Sequence, residues 1–143
     1  MNIPLGASGT KTWTVTRELT IARLDARLPE AFATPMMIYL MEIAAAEAIQ
    51  PYLPSGWISV GVSVSVRHLA ATPTGMRVTA RAEVIAVDER TVTFAIEAYD
   101  EREKIGEGTH VRAPVELARF LQRLTQKAGT SGEGFREDHA ESA

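Results

Sequence analysis

Cysteine is absent from the sequence, and that single absence excludes a thiol nucleophile, a disulfide framework and any thiolate metal site. Long apolar runs are absent too. Nowhere do about 18 uninterrupted apolar residues occur, and Met1 to Gly9 has neither a basic segment nor a continuous apolar one. Neither a membrane span nor an export signal is therefore expected, and the expected location is cytoplasmic. Positive charge is in short supply, with 15 Lys and Arg against 18 Asp and Glu and a net charge of −3. That balance argues against nucleic acid or an anionic membrane as a general partner. Histidine is scarce: His68, His110 and His139 lie far apart in the chain and offer little to a metal. No Gly-rich phosphate loop follows a strand pattern, no Gly-x-Ser-x-Gly elbow occurs, and there is no internal repeat.

What is present is enough for one globular domain: 143 residues, of which 45% are hydrophobic and 23% charged. The most apolar stretch runs from Thr34 to Gln50. Thr34 can cap a helix, Pro35 is tolerated at a first helical position, and Pro51 stops the run. Apolar residues cover almost its whole circumference (Met36, Met37, Ile38, Leu40, Met41, Ile43, Ala44 to Ala46), which predicts a central helix rather than a surface one. Glu42 lies among them. A carboxylate in such surroundings needs a partner or a chemical task, because burying an unpaired charge is costly.

Around this helix the pattern is two-fold. Thr12 to Leu19 alternates apolar and polar residues as a first strand, and Thr20 to Ala33 has no sustained period, which suggests a loop or short helical lid ahead of the helix. Four further strands are predicted at Trp57–His68, Met76–Val87, Thr91–Tyr99 and Lys104–Arg112, joined by short polar turns that imply antiparallel neighbours. Pro114 opens an amphipathic helical segment, Val115 to Thr125. Residues 1–127 thus form one domain, and 128–143, rich in Gly, Ser and charge, read as a disordered tail. The order predicts an α+β hotdog fold: an antiparallel five-stranded sheet wrapped around a long central helix, with a short C-terminal helix.

Three polar residues stand out by position: Thr34 at the helix start, Glu42 in its middle and His68 at the end of a strand. The carboxylate can act as nucleophile or general base, the imidazole can shuttle a proton or polarise a carbonyl, and the hydroxyl can orient a water or substrate oxygen. Each also has a plain structural role: a helix cap for Thr34, an exposed strand end for His68, and pairing with Arg67 or exposure to solvent for Glu42. Thr34 and Glu42 are about 12 Å apart along a helix, too far to touch one reacting atom easily, so a site completed by a second chain is expected. The run Gly106 to Arg112 places His110 and Arg112 on a strand. Its simplest role is a solvated sheet edge, although a cation there could also meet a ligand phosphate.

The run Ala33-Thr34-Pro35-Met36-Met37 through Leu40-Met41-Glu42 is followed by Pro51-Tyr52-Leu53, Gly61, His68-Leu-Ala-Ala-Thr-Pro-Thr-Gly75 and Gly106-Glu-Gly-Thr-His110. Together they resemble the fluoroacetyl-CoA thioesterase-like family of hotdog thioesterases, over about Lys11 to Lys127. The resemblance implies a catalytic set of Thr34, Glu42 and His68, with Gly61 lining the acyl site. It also implies a homodimer that binds acyl-CoA at the subunit interface and uses no metal or other cofactor. In the lid, Asp25 to Phe32 offers only Phe32, with Leu28, where the specialised enzyme gates its pocket with phenylalanines. A short- or medium-chain acyl-CoA is therefore the expected substrate, bound by Gly61, Phe32, Leu28 and Arg112. The alternatives are a non-catalytic acyl-CoA sensor and a hotdog enoyl-CoA hydratase or dehydratase.

Overall fold

The computed structural model describes residues 1–129, so the expected C-terminal tail lies, from residue 130 onward, outside the described residues. The chain forms β1 (Ser8–Thr14), α1 (Thr34–Ile49), β2 (Trp57–His68), β3 (Arg77–Val87), β4 (Val92–Tyr99), β5 (Lys104–Glu116) and α2 (Leu117–Ala128). The five strands make one antiparallel sheet in the order β1-β3-β4-β5-β2.

The two-fold pattern of β3 and β4 turns one row of side chains inward. Val78, Ala80, Ala82 and Val84 on β3 and Val92, Phe94, Ile96 and Ala98 on β4 are all buried. Register shifts between Gly61 and Ser63, Val84 and Ala86, and Ala98 and Tyr99 add local twist, which curls the sheet. Helix α1 lies in the hollow, mainly against β1 and β3. It buries Met37, Leu40, Met41, Ala44, Ala45, Ala48 and Ile49, and the larger of these side chains stabilise the fold by about 1.5–3 kcal/mol each. The approach to β1 is close because both surfaces are small there: a Cβ on Gly9 would sit 2.5 Å from the Ala44 carbonyl oxygen and 3.1 Å from the Ala48 amide nitrogen.

The apolar circumference of α1 is covered on one side only. Tyr39 is 53% exposed, and Met36, Ile38 and Ile43 are partly covered. Beside this flank runs β2, the outer edge of the sheet, exposed from Gly61 to Ser65, with Val62 at 57% and Val64 at 40%. Such an unpaired edge is a template for another strand.

Several boundaries differ from the sequence expectations for identifiable reasons. The first strand is Ser8–Thr14 rather than Thr12–Leu19, because pairing with β3 ends at Thr14 opposite Arg77 and Arg17–Leu19 turns as a 3-10 helix. The lid segment holds a second 3-10 turn at Ile21–Arg23 and a bridge between Thr20 and Phe32. Strand β5 continues through Pro114 to Glu116. Beyond Arg112 it has lost its β4 neighbour, and a residue without an N–H is tolerated along a free edge. Helix α2 consequently starts at Leu117, whose amide donates to the Gly56 carbonyl, and it extends to Ala128, one residue into the expected tail.

Candidate active site

At the start of α1 the cap is Ala33, with extended backbone, and Thr34 is already inside the helix. The Thr34 hydroxyl is thus not used as a cap. It forms a 2.7 Å hydrogen bond with His68 Nδ1, at the far end of β2. The other ring nitrogen, His68 Nε2, is buried and has no hydrogen-bond partner among the described residues. Burial pushes the His68 pKa below the ordinary 6.5, opposed by the Ala70 backbone. A neutral imidazole with one nitrogen unsatisfied is available to give or take a proton.

Two turns further along α1, Glu42 faces the first half of β2. Its Oε2 occupies the space that a side chain at Gly61 would fill, since a Cβ there would lie 2.6 Å away. Arg112 on β5 reaches the same oxygen, with Nη1 at 3.5 Å. The guanidinium is itself held, because its Nε donates to Ser59 Oγ at 2.8 Å and its Nη2 to the Ser59 carbonyl at 2.8 Å. Behind it lies His110, 2% exposed and stacked on Phe94. A carbonyl can only accept, so the 2.8 Å contact with the Ser63 carbonyl requires His110 Nδ1 to carry the proton. Nε2 is then a lone pair that accepts from Arg112 Nη1 at 3.2 Å. Burial lowers the His110 pKa, with Arg112 acting in the same direction and the Ser63 backbone and Glu42 opposing. A cavity of about 180 Å³, lined by Glu42, Gly61, Val62, Ser63, Val64 and His110, opens at this point toward the free edge of β2.

The sequence expectation for Gly106 to Arg112 as a solvated edge is corrected. Strand β5 lies between β4 and β2, and His110 and Arg112 are 2% and 7% exposed. Their sequence signal is the two-residue spacing, which puts both side chains on one face of a strand. His110, expected on that solvated edge, instead lies buried behind the Glu42–Arg112 pair. Glu42 pairs with Arg112, not Arg67. Phe32 is 2% exposed and packs against the core, and Leu28 is 39% exposed. Within one chain, then, the structure joins Thr34 to His68 and Glu42 to Gly61 and Arg112, and it leaves the two groups apart. Gly61 and His68 are separated by roughly 20 Å along β2 at the usual strand rise.

Two measurements bear directly on this geometry. Gly61→Ala should leave thermal stability nearly unchanged, because the displaced atom is the end of a flexible side chain. Turnover should fall at least tenfold, because that atom is the Glu42 carboxylate; equal kcat in both proteins would contradict the placement. Folded His68 and His110 bind protons less readily than in the unfolded chain, where the ordinary value is 6.5. Their contribution to stability is complete above that value and is lost as the pH falls below it and on through the folded-state values. Tm should therefore decline below pH 6.5, and His110→Asn should flatten that decline; an unchanged slope in the variant would count against a neutral buried His110.

A curled antiparallel sheet wrapped around a long central helix is the hotdog fold, and its solved neighbours place the chain in the hotdog thioesterase class. The family of fluoroacetyl-CoA-specific thioesterases matches residues 15–118, and the chain belongs to that family. The fluoroacetyl-CoA thioesterase of Streptantibioticus cattleyicolor is 43% identical over 102 residues, covering 71% of this chain and 73% of that protein. A solved structure of a fluoroacetyl-CoA thioesterase superposes with a TM-score of 0.83 at 37% identity, over 89% of this chain and 98% of that one. A thioesterase-superfamily protein of Thermus thermophilus gives a TM-score of 0.83 at 29% identity, over 93% and 98% of the two chains. The chain is a thioester hydrolase of hotdog fold. Among the described residues no helix is long and apolar enough to cross a membrane, and no group of three or more His, Asp or Glu residues could hold a metal ion.

Proposed function

We propose that the protein hydrolyses a short- or medium-chain acyl-CoA to the free acid and CoA as a homodimer, with Glu42, Thr34 and His68 as its catalytic residues. The observation that carries this reading is the Glu42 carboxylate in the space left by Gly61, beside an opening toward the free edge of β2. Relatives of the family have been solved with fluoroacetate and with acetyl-CoA, which favours a small acyl group.

Two β2 edges pairing antiparallel about a two-fold axis would extend the sheet and cover Val62, Val64 and the exposed flank of α1. The Gly61 half of one strand would then lie against the His68 half of the other. That brings Glu42 toward Thr34 and His68 of the partner subunit, and it closes the gap that a single chain leaves.

In such a site Glu42 attacks the thioester carbonyl or takes a proton from the water that does. The C–S bond breaks, and the departing thiolate receives a proton within the site; where Glu42 itself attacks, the mixed anhydride it forms is then cleaved by water to the free acid and the Glu42 carboxylate, whereas an activated water gives the acid directly. His68 transfers protons through the nitrogen left free by Thr34, and Thr34 fixes the ring. Arg112, held by Ser59 and His110, orients the Glu42 carboxylate.

Release of free thiol across acyl-CoAs from acetyl to long chain tests the proposal: maximal kcat/KM is expected at short or medium length, and no release from any of them would overturn it. The kcat/KM profile should show an acid limb with a midpoint below 6.5, set by protonation of His68. A limb centred above 6.5 would exclude His68 as the group responsible.

A further inference from the structure

Beyond the carboxylate and imidazole groups, a second concentration of chemistry lies where β5 runs into α2. Arg90, from the β3–β4 turn, and Arg119 and Arg123, on α2, line one groove of about 310 Å³ together with Trp57 and Phe120. All three arginines are exposed, and none forms an ion pair with a described residue. The one acidic side chain in the lining is Glu116. In a protein of net charge −3 this groove is locally cationic.

The arrangement has a local cost that the fold does not require. Arg119 and Arg123 are four residues apart on α2, where like charges repel and destabilise a helix. Helix α2 buries no residue in the core. Three unpaired guanidinium groups beside two aromatic rings match phosphate groups and a purine, because guanidinium binds phosphate oxygens bidentately and aromatic faces stack on a base.

Trp57 of the groove and Gly61 of the Glu42 site lie on one face of β2. Trp57, Ser59 and Gly61 are alternate residues of a strand in regular register with β5 (Trp57 opposite Glu116, Ser59 opposite Pro114, Gly61 opposite Arg112), so they share a face. Ser59 binds Arg112 and Gly61 faces Glu42, which identifies that face as the one turned toward α1. From Gly61 to Trp57 is about 13 Å at the usual strand rise.

We infer that Arg90, Arg119 and Arg123, with Trp57 and Phe120, bind the 3′-phosphorylated adenosine diphosphate end of the CoA thioester. This rests on the acyl-CoA reading above. The acyl group would lie at Glu42 and the arm of CoA would follow β2 outward to the groove.

The test compares acyl-CoA with the matching acyl-N-acetylcysteamine thioester, which lacks the nucleotide. In an Arg119→Glu/Arg123→Glu double variant, KM for acyl-CoA should rise at least tenfold with kcat within twofold. The ratio of kcat/KM for acyl-CoA to that for the short thioester should fall by the same factor. An Arg77→Glu/Arg102→Glu control, at two exposed positions outside the groove, makes the same change of charge elsewhere and should leave the ratio unchanged. An unchanged ratio in the double variant, or an equal fall in the control, overturns the inference. Calorimetric titration with adenosine 3′-phosphate 5′-diphosphate separates this result from the thioesterase reading, because it needs no turnover. Binding by the native protein, weakened at least tenfold in the double variant, supports the site even if no acyl-CoA is hydrolysed. Absence of binding, or equal binding by both proteins, overturns it.

Discussion

Glu42→Gln is expected to lower kcat on the preferred acyl-CoA by about 10³-fold or more, the scale of losing a nucleophile or a general base. The amide keeps the shape of the side chain and can still accept from Arg112, so Tm should change little. The variant isolates chemistry from packing, and measured thiol release within tenfold of the native rate would remove Glu42 from the reaction. Native enzyme adds a finer distinction. In a single turnover in ¹⁸O-water, direct attack places label first in the product acid or the Glu42 carboxylate according to which carbonyl of the anhydride water cleaves. Attack by an activated water places it in the acid alone.

The second large effect concerns assembly. Glu42→Gln and His68→Ala proteins should each be nearly inactive alone. Unfolded together and refolded as a mixture, they should regain about a quarter of native activity, because half of the random dimers are mixed and each mixed dimer holds one intact site. In the proposed dimer the intact site takes Glu42 from one chain and His68 from the other. If both residues acted within one chain, every site in the mixture would lack a member and no activity would return.

How far the sequence carried this reading depended on what kind of physics decided each element. Helix α1 and strands β2 to β4 were legible because their signals are local: Pro35 and Pro51 bracket the helix, and the valines of β2 alternate. The extension of β5 past Pro114 was not legible. It depends on β4 beginning only at Val92, opposite Arg112, a tertiary fact that frees one edge of β5 just where the proline falls. The burial of His110 and Arg112 was hidden for a related reason, since the run is polar in composition and only the strand order shows that it lies between two neighbours. Thr34 was legible as the start of the helix, yet its use was not. The chain spends Ala33 as the cap, and a cap without a hydrogen-bonding side chain leaves the threonine hydroxyl to His68. Phe32 was legible as an aromatic ahead of the helix, but its burial was not, because that depends on tertiary packing against the core.

The bare middle of β2 has a consequence for how the protein comes into being. For the proposed dimer, a chain that has finished folding alone still carries an unpaired edge strand exposing Val62 and Val64 and half of the proposed reaction centre. Its last maturation step is then bimolecular, and specific activity should depend on dilution: below the dissociation constant of the pair, enzyme units would vanish faster than protein does. The same edge makes the lone chain the species most exposed to irreversible clumping, so newly synthesised protein is safest where another copy is close at hand.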